Sequence, residues 1–275
     1  MKQLPIVIIG GGVMGGAIAE RLIKDEYCKP PEMSIVERDA NRRVYLSQTL
    51  PGVHILPKMV KLQTSEALVL LAIKPQDSHE AFIQLKEAGF VQGMVVSVMA
   101  GIKLAKLQRE FPQAHIIRAM PNIAVAVGEG VIGWASSSEI STEEREIVEG
   151  LFASLGKHYL LDEDQLDAIT AISGSGPAYL YMFVTDILNA ARALNLGDQL
   201  TSEIVKQTIV GAAMLYQIQN IDAITLANKV TSKGGSTQAA WEVLNQYHSS
   251  EMWQKAILAA YHRSQEIGSS SDDKK

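Results

Sequence analysis

Two glycine clusters are the parts of this chain whose residue types and spacing most favour binding chemistry. The first, IIGGGVMG, places Gly10, Gly12 and Gly15 in the pattern Gly-x-Gly-x-x-Gly. The second, SKGGST, places Gly234 and Gly235 directly before an apolar-periodic run. Glycine lets the backbone approach an anion closely, and a helix that begins there leaves N–H groups free to donate. Both clusters are therefore predicted to be anion sites.

The first cluster lies in the context that gives a dinucleotide-binding fingerprint its meaning, because it follows an apolar run and opens a helical one. Gly10 permits a tight turn, Gly12 lets the backbone approach a diphosphate, and Gly15 lets helix and strand pack closely. The alternative is that these glycines serve turn geometry only. We predict that the loop binds a dinucleotide through Gly10, Gly11, Gly12, Val13, Met14 and Gly15.

The end of the second apolar run bears on which dinucleotide is bound. An acid there accepts from the ribose 2′-OH of NAD, whereas an arginine accommodates the 2′-phosphate of NADP. The sequence offers both, as Glu37 and Arg38, with Arg42 and Arg43 one turn further on. We expect NADP(H) to be favoured, with NAD(H) as the alternative. A solvated charged face is the competing interpretation of the arginines.

Short apolar runs alternate with longer amphipathic stretches through the first part of the chain. The apolar runs lie at 4–10, 33–37, 67–73, 94–98 and 115–120. Uninterrupted runs of this length indicate strands buried on both faces, and their alternation with helices indicates a parallel, doubly wound sheet. We therefore predict an α/β fold whose Rossmann-type, dinucleotide-binding domain covers residues 1–162.

Beyond that point the sequence shows helical periodicity only, roughly over 164–172, 177–194, 199–217, 222–230 and 236–266. We predict an all-helical domain over 163–267 that binds substrate and dimerises, followed by a polar, disordered tail at 268–275. The stretches 177–191 and 207–218 are apolar over more than one face. That pattern favours burial against a second copy of the chain.

Composition excludes several classes of function. The net charge is −5 and there is no run of Lys or Arg, so we expect no nucleic-acid partner. Cys28 is the only cysteine among 275 residues, which rules out an intramolecular disulfide and fits the cytoplasm. The first apolar run is too short and glycine-rich for a signal peptide, and we expect no membrane span. The six histidines lack metal-ligand spacing, so no metal site is predicted.

Six segments, in order along nearly the whole chain, resemble the pyrroline-5-carboxylate reductase family. They are IIGGGVMG, AIKPQ at 72–76, SVMAGI at 97–102, RAMPN at 118–122, SGSGPAY at 173–179 and VTSKGGST at 230–237. The resemblance implies an oxidoreductase that reduces 1-pyrroline-5-carboxylate to L-proline with NAD(P)H, the last step of proline biosynthesis. It also implies a homodimer, or a larger ring, formed through the helical domain.

Reduction of a cyclic imine requires a bound carboxylate and a proton for the nitrogen, since the nicotinamide itself supplies the hydride. We expect the amides of the second glycine cluster to bind the carboxylate and the Thr237 hydroxyl to serve the imine nitrogen. An N-cap role for Ser236 or Thr237 is the alternative. By resemblance, Thr237 is the catalytic residue. The substrate-binding set is Ser232, Gly234, Gly235, Ser236 and Thr237, and the further cofactor contacts are Ala72, Lys74, Pro75, Ala100 and Asn122.

The chain also departs from the family pattern. Ile123 and Ala124 stand where Thr-Pro is usual, and Lys233 stands where proline is usual. Thr185 replaces an acid, and Met59 replaces an asparagine that contacts the cofactor. The departures at Ile123, Ala124 and Lys233 motivate one alternative function, an NADP(H)-binding paralogue without turnover. Another alternative, a β-hydroxyacid dehydrogenase, would use a Gly-x-x-x-Lys helix in the second domain, which the sequence does not show.

Overall fold

The computed structural model describes residues 4–62, 66–137 and 140–270. The chain folds into two compact units. The first comprises Met1–Pro177 together with Ala260–Lys275, and the second comprises Ala178–Ala259. By its contacts, the segment 163–177 therefore belongs to the first unit, whereas the sequence pattern assigned it to the helical domain.

A mostly parallel sheet forms the centre of the first unit. Its strands are β1 (Ile6–Ile9), β2 (Met33–Val36), β3 (His54–Leu56), β4 (Glu66–Leu71), β5 (Gln92–Ser97), β6 (Ala114–Pro121), β7 (Gly130–Ser136) and β8 (Gly156–Leu160). Within the described residues the order is β3-β2-β1-β4-β5-β6-β7-β8, and β6 and β7 are the antiparallel pair. The order reverses between β1 and β4, and ligands of such sheets bind at the carboxyl edge of that reversal.

Both faces of this sheet are buried, as the apolar runs predict. Ile6 and Ile8 of β1 pack into one hydrophobic cluster, and Val7 and Ile9 into the other. Helices cover the sheet: α1 (Val13–Lys24), α2 (Ala40–Thr49), α3 (Ser78–Glu87), α4 (Leu104–Glu110), α5 (Thr142–Ala153) and α6 (Leu166–Ile169). A π-helical turn, Thr170–Gly174, follows α6. The predicted α/β class with a Rossmann-type sheet is confirmed.

The second unit contains helices only. They are α7 (Gly176–Ala191), α8 (Asp198–Ile218), α9 (Ala223–Lys229), α10 (Ser236–Gln246) and α11 (Ser249–Ser270), the first and last of which extend into the first unit. Among the residues of this unit, Thr201 and Val205 alone are buried. Its large apolar side chains are mostly exposed, for example Met182 at 66%.

The sequence prediction was wrong in two places. The tail was expected to be disordered from Gly268, but α11 continues to Ser270; residues 271–275 lie outside the described part. Gly268 is buried, and a Cβ on Gly101 would lie 2.8 Å from the Ile267 side chain, so packing holds this last turn in place. In addition, the apolar runs in the sequence did not predict the strands β3, β7 and β8.

In the part of the chain that the structure describes, no helix is long and apolar enough to cross a membrane. Nor do the described residues bring together three His, Cys, Asp or Glu side chains that could hold a metal ion.

Candidate active site

The first glycine loop connects β1 to α1 at the reversal point of the sheet. Gly10 has a φ of +98°, and a Cβ there would lie 2.5 Å from the carbonyl oxygen of Ala72. Its N–H donates to the carbonyl oxygen of Val36 across 2.8 Å. The turn therefore fits between the ends of β2 and β4 only because residue 10 has no side chain.

Gly12 and Gly15 have different surroundings. Gly12 precedes the first turn of α1, and a Cβ on it would meet no atom within 4 Å. A Cβ on Gly15 would lie 1.9 Å from the Gly10 carbonyl oxygen. The first helical hydrogen bond joins the Gly16 N–H to the Gly12 carbonyl oxygen, which leaves the preceding N–H groups of α1 free of helical acceptors. The open space at Gly12 beside free N–H groups fits a diphosphate.

A pocket of about 310 Å³ opens beside this loop. Val36, Pro57, Ile73 and Ala81 contribute apolar wall, and Arg38, Lys58, Asp77 and Glu80 contribute charged groups. Apolar walls with a few charged groups suit the adenosine half of a dinucleotide. The residues present therefore fit the predicted cofactor.

Glu37 fixes the loop from the end of β2. One carboxylate oxygen, Oε2, accepts from the Gly11 N–H at 2.9 Å. The other, Oε1, accepts from the Asp39 N–H at 2.8 Å. The carboxylate is therefore oriented by the backbone at the position where an acid reads the ribose.

Only one of the three arginines near Glu37 reaches the rim of the pocket. Arg42 donates to the carbonyl oxygens of Gly11, at 2.6 Å, and Gly12, at 3.0 Å. Arg43 donates to those of Glu37, at 3.0 Å, and Arg38, at 2.7 Å. Arg42 and Arg43 thus support the backbone, and neither belongs to a solvated charged face. Arg38 lines the pocket and pairs with Asp77.

The other predicted cofactor contacts follow the strands on the same edge of the sheet. Ala72 and Lys74 come after β4, and the Ala72 N–H donates to the carbonyl oxygen of Ile9 at 2.8 Å. Pro75 begins the 3₁₀ turn Pro75–Asp77, and Ala100 follows β5. Lys74 and Ala100 are exposed. Their contacts with a cofactor stay predictions.

Asn122, at the end of β6, has partners within the protein. Its side-chain N–H donates to the hydroxyl of Ser173 at 3.2 Å, and its side-chain oxygen accepts from the Val131 N–H at 3.2 Å. The residue is 9% exposed. Asn122 therefore joins RAMPN to SGSGPAY, and a role beside the nicotinamide stays a prediction.

The second glycine cluster forms a tight turn before α10. Gly234 has a φ of +72°, and its N–H donates to the side-chain oxygen of Gln238 at 2.7 Å. The Gly235 N–H donates to the carbonyl oxygen of Ser232 at 3.0 Å. A Cβ on Gly235 would lie 2.4 Å from the Ser232 hydroxyl oxygen, so a side chain there would require this hydroxyl to move.

The expectation that the amides of Gly234 and Gly235 are free for a carboxylate is wrong for this turn, because both already donate within it. Gly235 is the N-cap and no side chain caps the helix, so the alternative N-cap role for Ser236 or Thr237 is wrong as well. The N–H groups without helical acceptors are instead those of Ser236, Thr237 and Gln238. Thr237 is exposed, and its hydroxyl has no hydrogen-bond partner among the described residues.

The positions that depart from the family pattern have ordinary environments. Ile123 and Ala124 lie in the 3₁₀ segment Ile123–Val127 after β6. The Thr185 hydroxyl donates to the carbonyl oxygen of Tyr181 at 2.8 Å. Met59 is half-buried and Lys233 is exposed. None of these residues disturbs the turns that form the two clusters.

Cys28 lies away from both clusters. It is buried among apolar side chains that include Leu22, and burial raises the pKa of its thiol to about 11, with a smaller contribution from Glu32. Burial likewise raises the pKa of the neighbouring Tyr27 to about 12. The thiol is therefore packed and protonated, as expected for an apolar filler.

The Rossmann-type sheet, its glycine loop and the pocket beside it define the class of this protein as a dinucleotide-dependent oxidoreductase. A family model described as "Pyrroline-5-carboxylate reductase dimerisation" matches residues 163–267, and one described as "NADP oxidoreductase coenzyme F420-dependent" matches residues 5–101. The chain is 33% identical to a pyrroline-5-carboxylate reductase of Synechocystis sp., over 97% of this chain and 99% of that one. It is 34% identical to that of Pasteurella multocida, over 97% and 98%.

The chain therefore belongs to the pyrroline-5-carboxylate reductase family, as its motifs predict. The solved structure of a pyrroline-5-carboxylate reductase from Coxiella burnetii superposes with a TM-score of 0.82 at 28% identity, and covers 96% of this chain and 98% of that one.

Proposed function

We propose that this protein reduces 1-pyrroline-5-carboxylate to L-proline with NADPH or NADH as the hydride donor. The observation that carries the proposal is the similarity over 97% of the chain to relatives named pyrroline-5-carboxylate reductase. The geometry agrees, because each glycine cluster offers the groups that one of the two reactants requires.

The first unit carries the groups that bind the cofactor. The free N–H groups that follow Gly12, together with the positive end of α1, bind the diphosphate. Glu37 and Arg38 meet the ribose region next to the pocket. A bound reduced nicotinamide would supply the hydride. The protein contributes orientation and the exclusion of water.

The second unit supplies the groups for the substrate. The N–H groups of Ser236, Thr237 and Gln238 converge at the positive end of α10 and bind the carboxylate. The Thr237 hydroxyl has no competing partner among the described residues, so it is free to donate to the imine nitrogen while that nitrogen gains its proton. In this arrangement Gly234 and Gly235 shape the turn, and the residues after them bind.

We also propose that the helical unit forms the homodimer, or a larger ring. Its exposed apolar side chains include Tyr181 at 62% and Met182 at 66%, more than a lone helix surface requires. The family model that matches this region is described as a dimerisation model. A cytoplasmic location fits the protonated thiol of Cys28, the only cysteine of the chain.

The proposed reaction is tested by mixing the protein with NADPH and 1-pyrroline-5-carboxylate and following the absorbance of the reduced nicotinamide. We expect oxidation of the nicotinamide and formation of proline, which chromatography detects. NADPH binding without oxidation would favour the non-catalytic paralogue. Reduction of NAD by 3-hydroxyisobutyrate would instead favour the β-hydroxyacid dehydrogenase.

A further inference from the structure

Arg38 and Asp77 form a two-pronged ion pair at the rim of the pocket beside the glycine loop. Arg38 Nη1 lies 3.1 Å from Asp77 Oδ1, and Nη2 lies 3.3 Å from Oδ2. Asp77 comes from the 3₁₀ turn after β4, whereas Arg38 follows β2. The Arg38 side chain is 75% exposed and that of Asp77 is 27% exposed, so the carboxylate is the more buried partner of the pair.

This pair matters because, of Arg38, Arg42 and Arg43, only Arg38 has a guanidinium that does not donate to a backbone carbonyl oxygen of the described residues. The guanidinium groups of Arg42 and Arg43 are committed to carbonyl oxygens of the loop and the turn after β2. A 2′-phosphate on the adenosine ribose would therefore be recognised through Arg38. The guanidinium N–H donors of Arg38 that would bind the phosphate already donate to the Asp77 carboxylate, whose two oxygens present a similar geometry.

We propose that Asp77 sets the preference of this site between NADPH and NADH, by competing with the 2′-phosphate for Arg38. The inference rests on the proposed dinucleotide-dependent function. NADPH must displace Asp77 from Arg38 and place its phosphate near that carboxylate, whereas NADH leaves the ion pair intact. The Asp77 carboxylate thus lowers the affinity of the site for NADPH and leaves its affinity for NADH nearly unchanged.

The size of this effect is limited by solvent. Exposed ion pairs are weak and screened by salt, so the pair does not exclude NADPH. The phosphate carries nearly two negative charges and forms strong two-pronged bonds with arginine. We expect removal of the Asp77 charge to tighten NADPH binding by about three- to tenfold, with a smaller gain at high salt.

Glu80 provides a matched control. It lines the same pocket, but its carboxylate accepts from the side chain of Gln84 at 3.0 Å. Glu80→Gln therefore removes one negative charge from the pocket and leaves Arg38 engaged. Both acids lie on the surface at the start of α3, and circular dichroism melting curves establish that each variant is folded.

The experiment is isothermal titration of the full chain with NADPH, NADH, adenosine 2′,5′-bisphosphate and 5′-ADP, none of which requires turnover. We expect Asp77→Asn to tighten the binding of the two ligands that carry a 2′-phosphate and to leave the binding of the other two nearly unchanged, whereas Glu80→Gln should change the binding of all four ligands by a similar, smaller factor. In an Arg38→Ala background, Asp77→Asn should lose most of its effect.

If Asp77→Asn and Glu80→Gln raise the affinity for NADPH equally, the proposed competition for Arg38 is overturned and only a general charge effect remains. The same conclusion follows if Asp77→Asn raises that affinity equally when Arg38 is absent. Unchanged binding in Asp77→Asn would overturn the competition as well. A protein that shows the expected selectivity but does not oxidise NADPH with the imine would contradict the proposed reductase function and leave the role of Asp77 standing. No binding of either dinucleotide by the unmodified protein would overturn both.

Discussion

Gly10 and Gly15 meet across the first turn of α1 so closely that a Cβ on Gly15 would overlap the carbonyl oxygen of Gly10, at 1.9 Å. Gly12, between them in the sequence, faces open space. One fingerprint thus contains glycines of two kinds: Gly15 is required by the fold, and Gly12 leaves room for a ligand.

The two kinds of glycine are separated by substitution. Gly12→Val should yield a folded protein that does not bind NADPH or NADH, because the side chain fills the space for the diphosphate. Gly15→Ala should lower the melting temperature, since the methyl group forces α1 away from β1. Melting curves and titration with both dinucleotides measure the two effects. A folded Gly12→Val protein with unchanged NADPH affinity would contradict the predicted diphosphate site.

Arg42 should support the binding of both dinucleotides alike. Its guanidinium donates to the carbonyl oxygens of Gly11 and Gly12, and Arg42→Ala removes the support of the loop rather than a contact with the 2′-phosphate. We expect the dissociation constants for NADPH and NADH to rise by a similar factor, about fivefold or more. A loss confined to NADPH would show that Arg42 turns outward to bind the phosphate.

Thr237→Ala should lower kcat far more than it raises KM. The N–H groups of α10 that would bind the carboxylate remain, but the imine nitrogen loses its hydroxyl partner in the transition state. A positioned proton-transfer group contributes roughly 10²–10⁴-fold, and water can partly replace a hydroxyl, so we expect a loss of kcat of about 100-fold or less.

Two variants serve as controls for Thr237. Thr237→Ser keeps the hydroxyl and should retain most of the rate. Ser236→Ala removes the neighbouring exposed hydroxyl and should change kcat little. If Thr237→Ala lowers only the melting temperature, the residue has a structural role at the start of α10.

The helical unit should hold the chain in a dimer or a larger ring at micromolar concentration. Light scattering should report at least twice the chain mass of 29.9 kDa. Met182→Glu, which adds a charge to the exposed apolar surface of α7, should shift the protein towards monomer. Val44→Glu, at a position that is 56% exposed on α2, is the control and should leave the mass unchanged. A monomeric unmodified protein would refute the proposed assembly.

Stability should fall on the alkaline side. The unfolded chain releases the Cys28 proton near its ordinary pKa of 9.0, whereas the folded protein keeps it until about 11. The stabilisation is therefore complete below pH 9 and is lost as the pH rises through that window, by about 3 kcal/mol at most. Urea unfolding at several pH values should show a shallower decline for Cys28→Ala; an equal decline would assign the loss to other groups.

The strands that were predictable are those buried on both faces, because an uninterrupted apolar run reports such burial. Strand β8 lies at the sheet edge, and its sequence Gly-Lys-His-Tyr-Leu is largely exposed. Glycines interrupt the apolar pattern of β7, which pairs antiparallel with β6. Neither strand has the pattern of a buried parallel strand, so both were missed.

The positions of the two glycine clusters could be predicted, but not which of their donors are free. The Gly234 N–H is not free because it donates to the side chain of Gln238, four residues away, which folds back over the turn. Arg38 and Asp77 lie 39 residues apart and meet because β1 brings the ends of β2 and β4 to the same edge. Such pairings depend on tertiary structure, and spacing in the sequence does not reveal them.

The first unit takes its final segment, Ala260–Lys275, from the far end of the chain. The Ser264 hydroxyl donates to the Asp167 carboxylate at 2.6 Å across 97 residues of sequence, and the Ile267 side chain lies against Gly101. A ribosome releases residues in order, and domains generally fold as they emerge. The nucleotide-binding sheet can therefore form early, but its last contacts wait for translation of every helix of the second unit. A ribosome that stalls before α11 would leave a sheet whose strands are paired but which lacks the contacts of the final segment.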